Sequence, residues 1–298
     1  MSVNPDHERV PAPGRFIDVA GHRLHVIDQG SGTPVLLMAA LGSNWFDLDP
    51  LAARLVARSY RVIRYDRPGY GLSDDPRRDV PPTLAGETDR MLAVLDELGV
   101  DEPVIVAGHS LASLYAEGFA RRWPDRTAAV AILDGSYVVL PWHVMPTSFR
   151  VGNAHRTIGL MRFAGRHTGF RLPGRVALWR WILPTPPEGL DATQRSWVNQ
   201  VFGGTSMLLA TLTENAAFPA LNAALRDWRS HRPMPEVPIL VVVAMSGPVV
   251  WQHYWHLKQR WYAAMLGGRV HTLQARHFLV LEQPDEVADV IVSLGASQ

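Results

Sequence analysis

The sequence predicts an α/β protein: a mainly parallel sheet covered by helices on both faces, with a helical insert between two late strands. Three observations carry this. Short apolar, β-branched runs alternate with stretches of helical periodicity, the pattern of a parallel sheet buried on both sides. The alternation lapses from about residue 137 to 233, where Trp, Arg, Met and Pro accumulate. Composition agrees, at 47% hydrophobic and 19% charged over 298 residues with a net charge of +1. That is the balance of an ordinary globular chain long enough for a large core, and it disfavours a disordered, collagenous or coiled-coil protein.

The elements follow in order. Residues 1–14 read as a Pro-containing N-terminal tail. Leu24-His-Val-Ile-Asp and Val35-Leu-Leu-Met read as strands separated by the turn signal Gly30-Ser-Gly-Thr-Pro. Leu48 to Ser59 reads as a helix, and Arg61-Val-Ile-Arg-Tyr-Asp as a strand ended by Arg67-Pro-Gly-Tyr-Gly. Thr83 is a fitting cap for a helix in which Leu84, Met91, Leu92, Leu95 and Leu98 recur at helical spacing, stopped at Gly99. Further strands are expected at Val104 to Ala107, Ala128 to Leu133, Ile239 to Ala244 and Val270 to Leu273. Helices are expected at Leu111 to Arg122 and Pro284 to Leu294. The division is therefore a core of 15–136 and 234–298 and a cap of 137–233, read as several short helices.

The absence of cysteine excludes disulfides, thiolate nucleophiles and cysteine-ligated metals. A net charge near zero argues against a dedicated nucleic-acid binder. The first residues lack the apolar core of a signal peptide and no apolar run approaches a membrane span, so the reading is cytoplasmic, with no membrane span. The insert carries a surplus of arginine, which suits an anionic substrate or an acidic carrier protein as well as it suits a solvated face.

The most informative stretch is Val104-Ile-Val-Ala-Gly-His-Ser-Leu-Ala, a buried strand running into Gly108-His109-Ser110-Leu111-Ala112 and then a helix. A hydroxyl is a weak nucleophile. A tight strand-to-helix turn exposes its Oγ and aims backbone N–H groups and the helix N-terminus at developing negative charge. Small flanking residues let the turn close, although Ala112 stands where G-x-S-x-G has its second Gly.

Here the chain resembles the α/β-hydrolase superfamily. Tyr65-Asp-Arg-Pro-Gly-Tyr-Gly-Leu-Ser is similar to its D-x-x-G-x-G-x-S turn, Arg15 to Met38 to its opening strands, and Gln274-Ala-Arg-His277-Phe-Leu-Val-Leu-Glu to its catalytic-histidine segment. The resemblance implies that Ser110 is the nucleophile and His277 the base that takes its proton and returns it to the leaving group. It gives His109 a structural role, with its ring turned away by the elbow. The usual acid turn after the 239–244 strand reads Ala244-Met-Ser-Gly247-Pro248 and holds no carboxylate. The superfamily's other acid site, after the strand that follows the nucleophile helix, is matched by Ala131-Ile-Leu-Asp134-Gly, so Asp134 is expected to be the acid. Leu37-Met-Ala39-Ala40-Leu41-Gly42 stands where the family has His-Gly before its oxyanion donor; the resemblance assigns the two donors to the N–H groups of Leu41 and Leu111, and the Cβ that Ala40 adds beside the donor is expected either to narrow the hole or to aim it differently.

A helical insert at this position caps the pocket in the superfamily. Trp142, Trp179, Trp181, Trp197 and Trp228 with Met145, Met161 and Met207 suit an apolar substrate, Trp142 and Trp181 being the expected contacts, or else form the cap's own core. The expected activity is hydrolysis of an ester, lactone or thioester of a hydrophobic small molecule through an acyl-enzyme, with no metal or organic cofactor. Serine at the elbow speaks against haloalkane or epoxide chemistry, which needs a carboxylate nucleophile. Two alternatives stay open: acyl transfer, cyclisation or rearrangement on the same site, suggested by Ala39-Ala40 and Gly247, and a non-catalytic ligand-binding protein on the same fold.

Overall fold

The computed structural model describes residues 11–75, 81–135, 146–168, 189–202 and 205–295. Eight strands form one sheet: β1 (Arg15–Val19), β2 (His22–Gln29), β3 (Thr33–Met38), β4 (Tyr60–Tyr65), β5 (Val104–His109), β6 (Thr127–Leu133), β7 (Ile239–Ala244) and β8 (Arg269–Leu273). Their order is β1-β2-β4-β3-β5-β6-β7-β8. The pairs β1/β2 and β2/β4 are antiparallel and all others parallel. The central strands β5 and β7 are buried at every residue, as continuous apolar runs covered on both faces must be.

Helices cover the two faces. On one side α1 (Asp49–Ala57) and the C-terminal helix α9 (Pro284–Gly295) bring Leu51, Leu55, Val287 and Ile291 onto the sheet. On the other, α2 (Leu84–Glu97), α3 (Ser113–Arg122) and α7 (Val249–Leu266) contribute Met91, Leu95, Tyr115, Phe119 and Tyr262. α2 starts at the cap read from the sequence, with Thr83 Oγ1 accepting from the Gly86 N–H at 3.0 Å.

The insert departs from the expectation of several short helices. Its described parts are α4 (Thr147–Thr168), α5 (Ala192–Phe202) and α6 (Ser206–His231), of which α4 and α6 run for 22 and 26 residues. Pro219 lies inside α6 without ending it. The second half of α6 is held in the core, where Ala217, Phe218, Leu221, Leu225 and Trp228 join the cluster of α2, α3 and α7, and that packing outweighs the local cost of the proline. α7 and the short helix α8 (Leu279–Glu282) were not anticipated.

A buried carboxylate fastens α6 and α7 to α3. Glu117, fully enclosed, accepts from Arg121 Nε at 2.8 Å, from Arg229 Nε and Nη2 at 2.7 Å each, and from Tyr262 Oη at 2.8 Å. Removing one partner of such a cluster leaves the remaining charge buried without its counterion. Glu117→Ala is therefore expected to cost about 3–5 kcal/mol, read as a shift of the urea unfolding midpoint; a change below about 1 kcal/mol, the range of a surface ion pair, would contradict this.

Candidate active site

The elbow forms where β5 ends. Ser110 sits at φ 56°, in the left-handed region, and opens the short turn leading into α3. Gly108 is required there, because a Cβ at that position would lie 2.4 Å from the carbonyl oxygen of Ala112 and 2.9 Å from Ala116 Cβ. The Cβ of Ala112, at the motif's second glycine position, is by contrast accommodated in full burial.

Three residues far apart in sequence meet at the carboxyl edge of the sheet. Ser110 Oγ lies 2.8 Å from His277 Nε2, and His277 Nδ1 lies 2.6 Å from Asp134 Oδ2. Asp134 follows β6, is buried, and takes φ 47°, a conformation Asp tolerates better than most residues. Its other oxygen, Oδ1, accepts from the Ala244 N–H at 3.0 Å and from Trp255 Nε1 at 2.7 Å. A carboxylate with both oxygens occupied points one way only. Because Oδ2 can only accept, Nδ1 carries the proton and Nε2 presents its lone pair to the Ser110 hydroxyl. The arrangement can withdraw the serine proton and stabilise the imidazolium that results.

The sequence placed Ser110, His277 and Asp134, and the structure brings them together. Gly247 lies exposed at φ 85° in the turn after β7. Trp255 escaped the sequence reading; its only signal is an indole on a helix that the reading missed. His109 corrects an expectation: its ring is not turned away but lies 5.1 Å from the His277 ring, with Nε2 donating to the His277 carbonyl at 2.7 Å. Burial lowers its pKa to about 3, so it stays neutral and holds the histidine segment in place.

A second group fixes the loop after β3. Arg67 is buried and forms a two-pronged pair with Glu214 of α6, Nε to Oε1 and Nη2 to Oε2 at 2.9 Å each. Tyr70 and Tyr115 donate to the same carboxylate at 2.5 and 2.8 Å. Burial alone would lower Arg67, but the facing carboxylate holds it charged, and burial beside Glu214 raises both phenols well above their usual range. Arg67 also donates from Nη1 to the Ala39 carbonyl at 2.7 Å and from Nη2 to the Ala40 carbonyl at 3.2 Å, the latter shared with the Ser43 N–H at 3.2 Å. A trans peptide points its C=O and N–H in opposite directions. Pinning the Ala40 carbonyl on Arg67 therefore turns the Leu41 N–H away from the guanidinium. Leu111, the other expected donor, is the residue after Ser110 and is buried.

Arg67 and Tyr70 reach this position through the turn they sit on. Asp66 accepts from the Trp45 and Leu72 N–H groups at 3.0 and 3.2 Å, and a Cβ on Gly71 would fall 1.9 Å from its Oδ2. Of the residues expected at the pocket, Trp142 and Trp181, with Trp179 and Met145, lie outside the described residues. Trp197 lies 5.9 Å from the ring of Trp45, and Met207 and Trp228 are buried in the hydrophobic clusters, so these three pack the protein's own core. Among the described residues no cluster of His, Asp and Glu is arranged to hold a metal, and no helix is long and apolar enough to cross a membrane.

The chain belongs to the alpha/beta hydrolase family, whose defining pattern matches residues 24–290. Over 133 residues it is 31% identical to a cis-3-alkyl-4-alkyloxetan-2-one decarboxylase of Shewanella oneidensis, a match covering 44% of this chain and 42% of that protein. Over 118 residues it is 30% identical to bifunctional epoxide hydrolase 2 of Mus musculus, covering 40% of this chain and 21% of that protein. Each match thus spans less than half the length of the curated relative. Among solved structures, Cfl2 of Burkholderia cenocepacia superposes with a TM-score of 0.70 at 22% identity over 94% of both chains. The enol-lactonase of Burkholderia xenovorans LB400 does so with a TM-score of 0.65 at 23% identity, over 94% of this chain and 99% of its own. At that identity the shared property is the fold.

The depressed pKa of His109 has a consequence for stability. Below the ordinary value of 6.5 the unfolded chain takes up a proton that the folded chain refuses, so this histidine's contribution is intact above pH 6.5 and is lost progressively as pH falls toward 3. His109→Gln removes the titrating group and can keep the donor. Urea unfolding between pH 7 and 4 is expected to show a shallower loss of stability in the variant; parallel slopes would contradict this.

Proposed function

We propose that the protein is a serine hydrolase that cleaves an ester, lactone or thioester of a hydrophobic small molecule through an acyl-enzyme. The observation that carries this reading is the unbroken chain Asp134–His277–Ser110, with distances of 2.6 and 2.8 Å. Ser110 Oγ attacks the carbonyl carbon as its proton passes to His277 Nε2, and the carbonyl oxygen gains negative charge facing the Leu41 and Leu111 N–H groups. The tetrahedral intermediate collapses, His277 returns the proton to the leaving oxygen or sulfur, and water then repeats the sequence on the acyl-serine. Asp134 orients His277 throughout.

Opening an epoxide through an alkyl-enzyme ester needs a carboxylate nucleophile. Serine at position 110 separates this reading from the epoxide hydrolases among the relatives. Residues 137–233 act as the cap and set the acyl preference. The oxyanion loop has Ala where the family has His-Gly, yet Arg67 fixes the Ala40–Leu41 peptide plane, which favours a working hole over a repurposed one.

The reading is tested on an acyl series of p-nitrophenyl esters and thioesters. Ser110→Ala is expected to abolish turnover with an unchanged melting temperature, and Asp134→Asn to lower kcat by up to about 10⁴. Near-normal hydrolysis by folded Ser110→Ala would overturn the nucleophile. Products other than the free acid would indicate acyl transfer or rearrangement.

Arg67 is a positioning residue in this scheme. Lysine cannot span the Ala39 and Ala40 carbonyls and both oxygens of Glu214 at once. Arg67→Lys is therefore expected to lower kcat by about 10²–10³, the effect of losing an oxyanion donor, with KM little changed. A rise in KM at constant kcat would assign Arg67 to substrate binding instead.

A further inference from the structure

α7 has two apolar faces, only one of which the fold uses. Trp255, Gln259, Tyr262, Ala263 and Leu266 face inward and are buried. Facing outward, Val249, Val250, Trp251, Tyr254, Leu257 and Trp261 are between 51% and 82% exposed. Among the described residues the other large hydrophobic side chains left exposed are Phe16, Phe149, Leu160 and Phe163, so this one helix concentrates the apolar surface. Val250, Tyr254, Leu257 and Trp261 follow one another at steps of four, three and four residues, a stripe of roughly 17 Å at the helical rise. Contiguous apolar surface of this kind marks a contact with something else.

We propose that the outward face of α7 docks the protein on an anionic lipid surface. Charge selects the occupant. The helix contains no Asp or Glu, and its cations are the exposed Arg260 and the half-buried Lys258, whose ammonium lies 5.1 Å over the Trp255 ring. Two copies meeting through this face would set like charges against each other, which disfavours self-association. Tryptophan and tyrosine among aliphatic residues, flanked by cations, are the composition that settles at a bilayer interface, with rings at headgroup depth and cations on anionic headgroups. The face is the convex side of one helix, a shape a fluid surface accommodates without a matching groove.

The helix also connects this face with the site. It begins beyond β7, at the carboxyl edge of the sheet that carries Ser110 and Asp134, and its Trp255 donates to Asp134. A lipid-docked α7 sets that edge beside the apolar phase in which hydrophobic acyl compounds partition. Docking is read out without substrate, so it stands or falls separately from the hydrolase reaction.

The test is cosedimentation of the full chain with vesicles of phosphatidylcholine alone or mixed with phosphatidylglycerol, alongside light scattering for oligomeric state. The wild-type chain is expected to pellet with the phosphatidylglycerol vesicles, to stay largely in solution with phosphatidylcholine, and to be released by high salt. The double substitution Leu257→Glu, Trp261→Glu, both on the exposed stripe, is expected to weaken pelleting by at least about tenfold with an unchanged melting temperature and unchanged hydrolysis of a short-chain ester. Failure of the wild type to pellet, equal pelleting of the variant, or equal affinity for both vesicles would overturn the proposal. So would a wild-type dimer that the double substitution splits, which would identify the face as a contact between copies of the chain.

Discussion

The site depends on how the Asp134 carboxylate is held. Its backbone N–H continues the sheet ladder to the Val242 carbonyl at 2.8 Å, so its position is set by the register of β6 against β7. Its Oδ1 is occupied by the Ala244 N–H and the Trp255 indole, and only Oδ2 is left for His277. The register of two strands and the docking of one helix thus decide the tautomer of a histidine more than a hundred residues away. His109 completes the constraint by gripping the His277 carbonyl, so both the ring and the backbone of the histidine are fixed.

The second constraint is electrostatic. Arg67 and Glu214 are both buried, and such a pair is tolerable only when the remaining donors and acceptors are satisfied. Here the surplus donors of Arg67 go to the carbonyls of Ala39 and Ala40, and the spare lone pairs of Glu214 go to Tyr70 and Tyr115. The same bonds that make the buried pair tolerable tie together the loop after β3, the turn after β4, the elbow helix α3 and the insert helix α6. Arg67 thus links Glu214 of α6 directly to the Ala40 carbonyl of the loop after β3.

Much of this was legible in the sequence because buried parallel strands are local signals. β5, β6 and β7 are unbroken apolar runs, and Thr83 and Gly99 mark α2 by capping chemistry alone. Asp134 was legible only through the resemblance to the superfamily, whose second acid site after β6 it matches where the usual acid turn holds Gly247. Three things were hidden. α7 carries aromatic and aliphatic residues on both faces, which erases the periodicity by which an amphipathic helix is recognised. The Arg67–Glu214 pair joins residues 147 apart in sequence, and no local pattern announces a partner at that distance. The long helices of the insert were obscured for a related reason, since a proline inside α6 reads as a break until the packing of Phe218 and Leu221 is known.

In the proposed reaction Asp134 and His277 activate Ser110. The most direct measurement is the rate and position of labelling by an alkyl fluorophosphonate, followed by intact-mass and peptide mass spectrometry on the wild type and on Asp134→Asn. A single adduct is expected, located on Ser110, that forms rapidly in the wild type and orders of magnitude more slowly in the folded Asp134→Asn variant. Equal labelling rates in the two proteins, or an adduct at any residue other than Ser110, would contradict it.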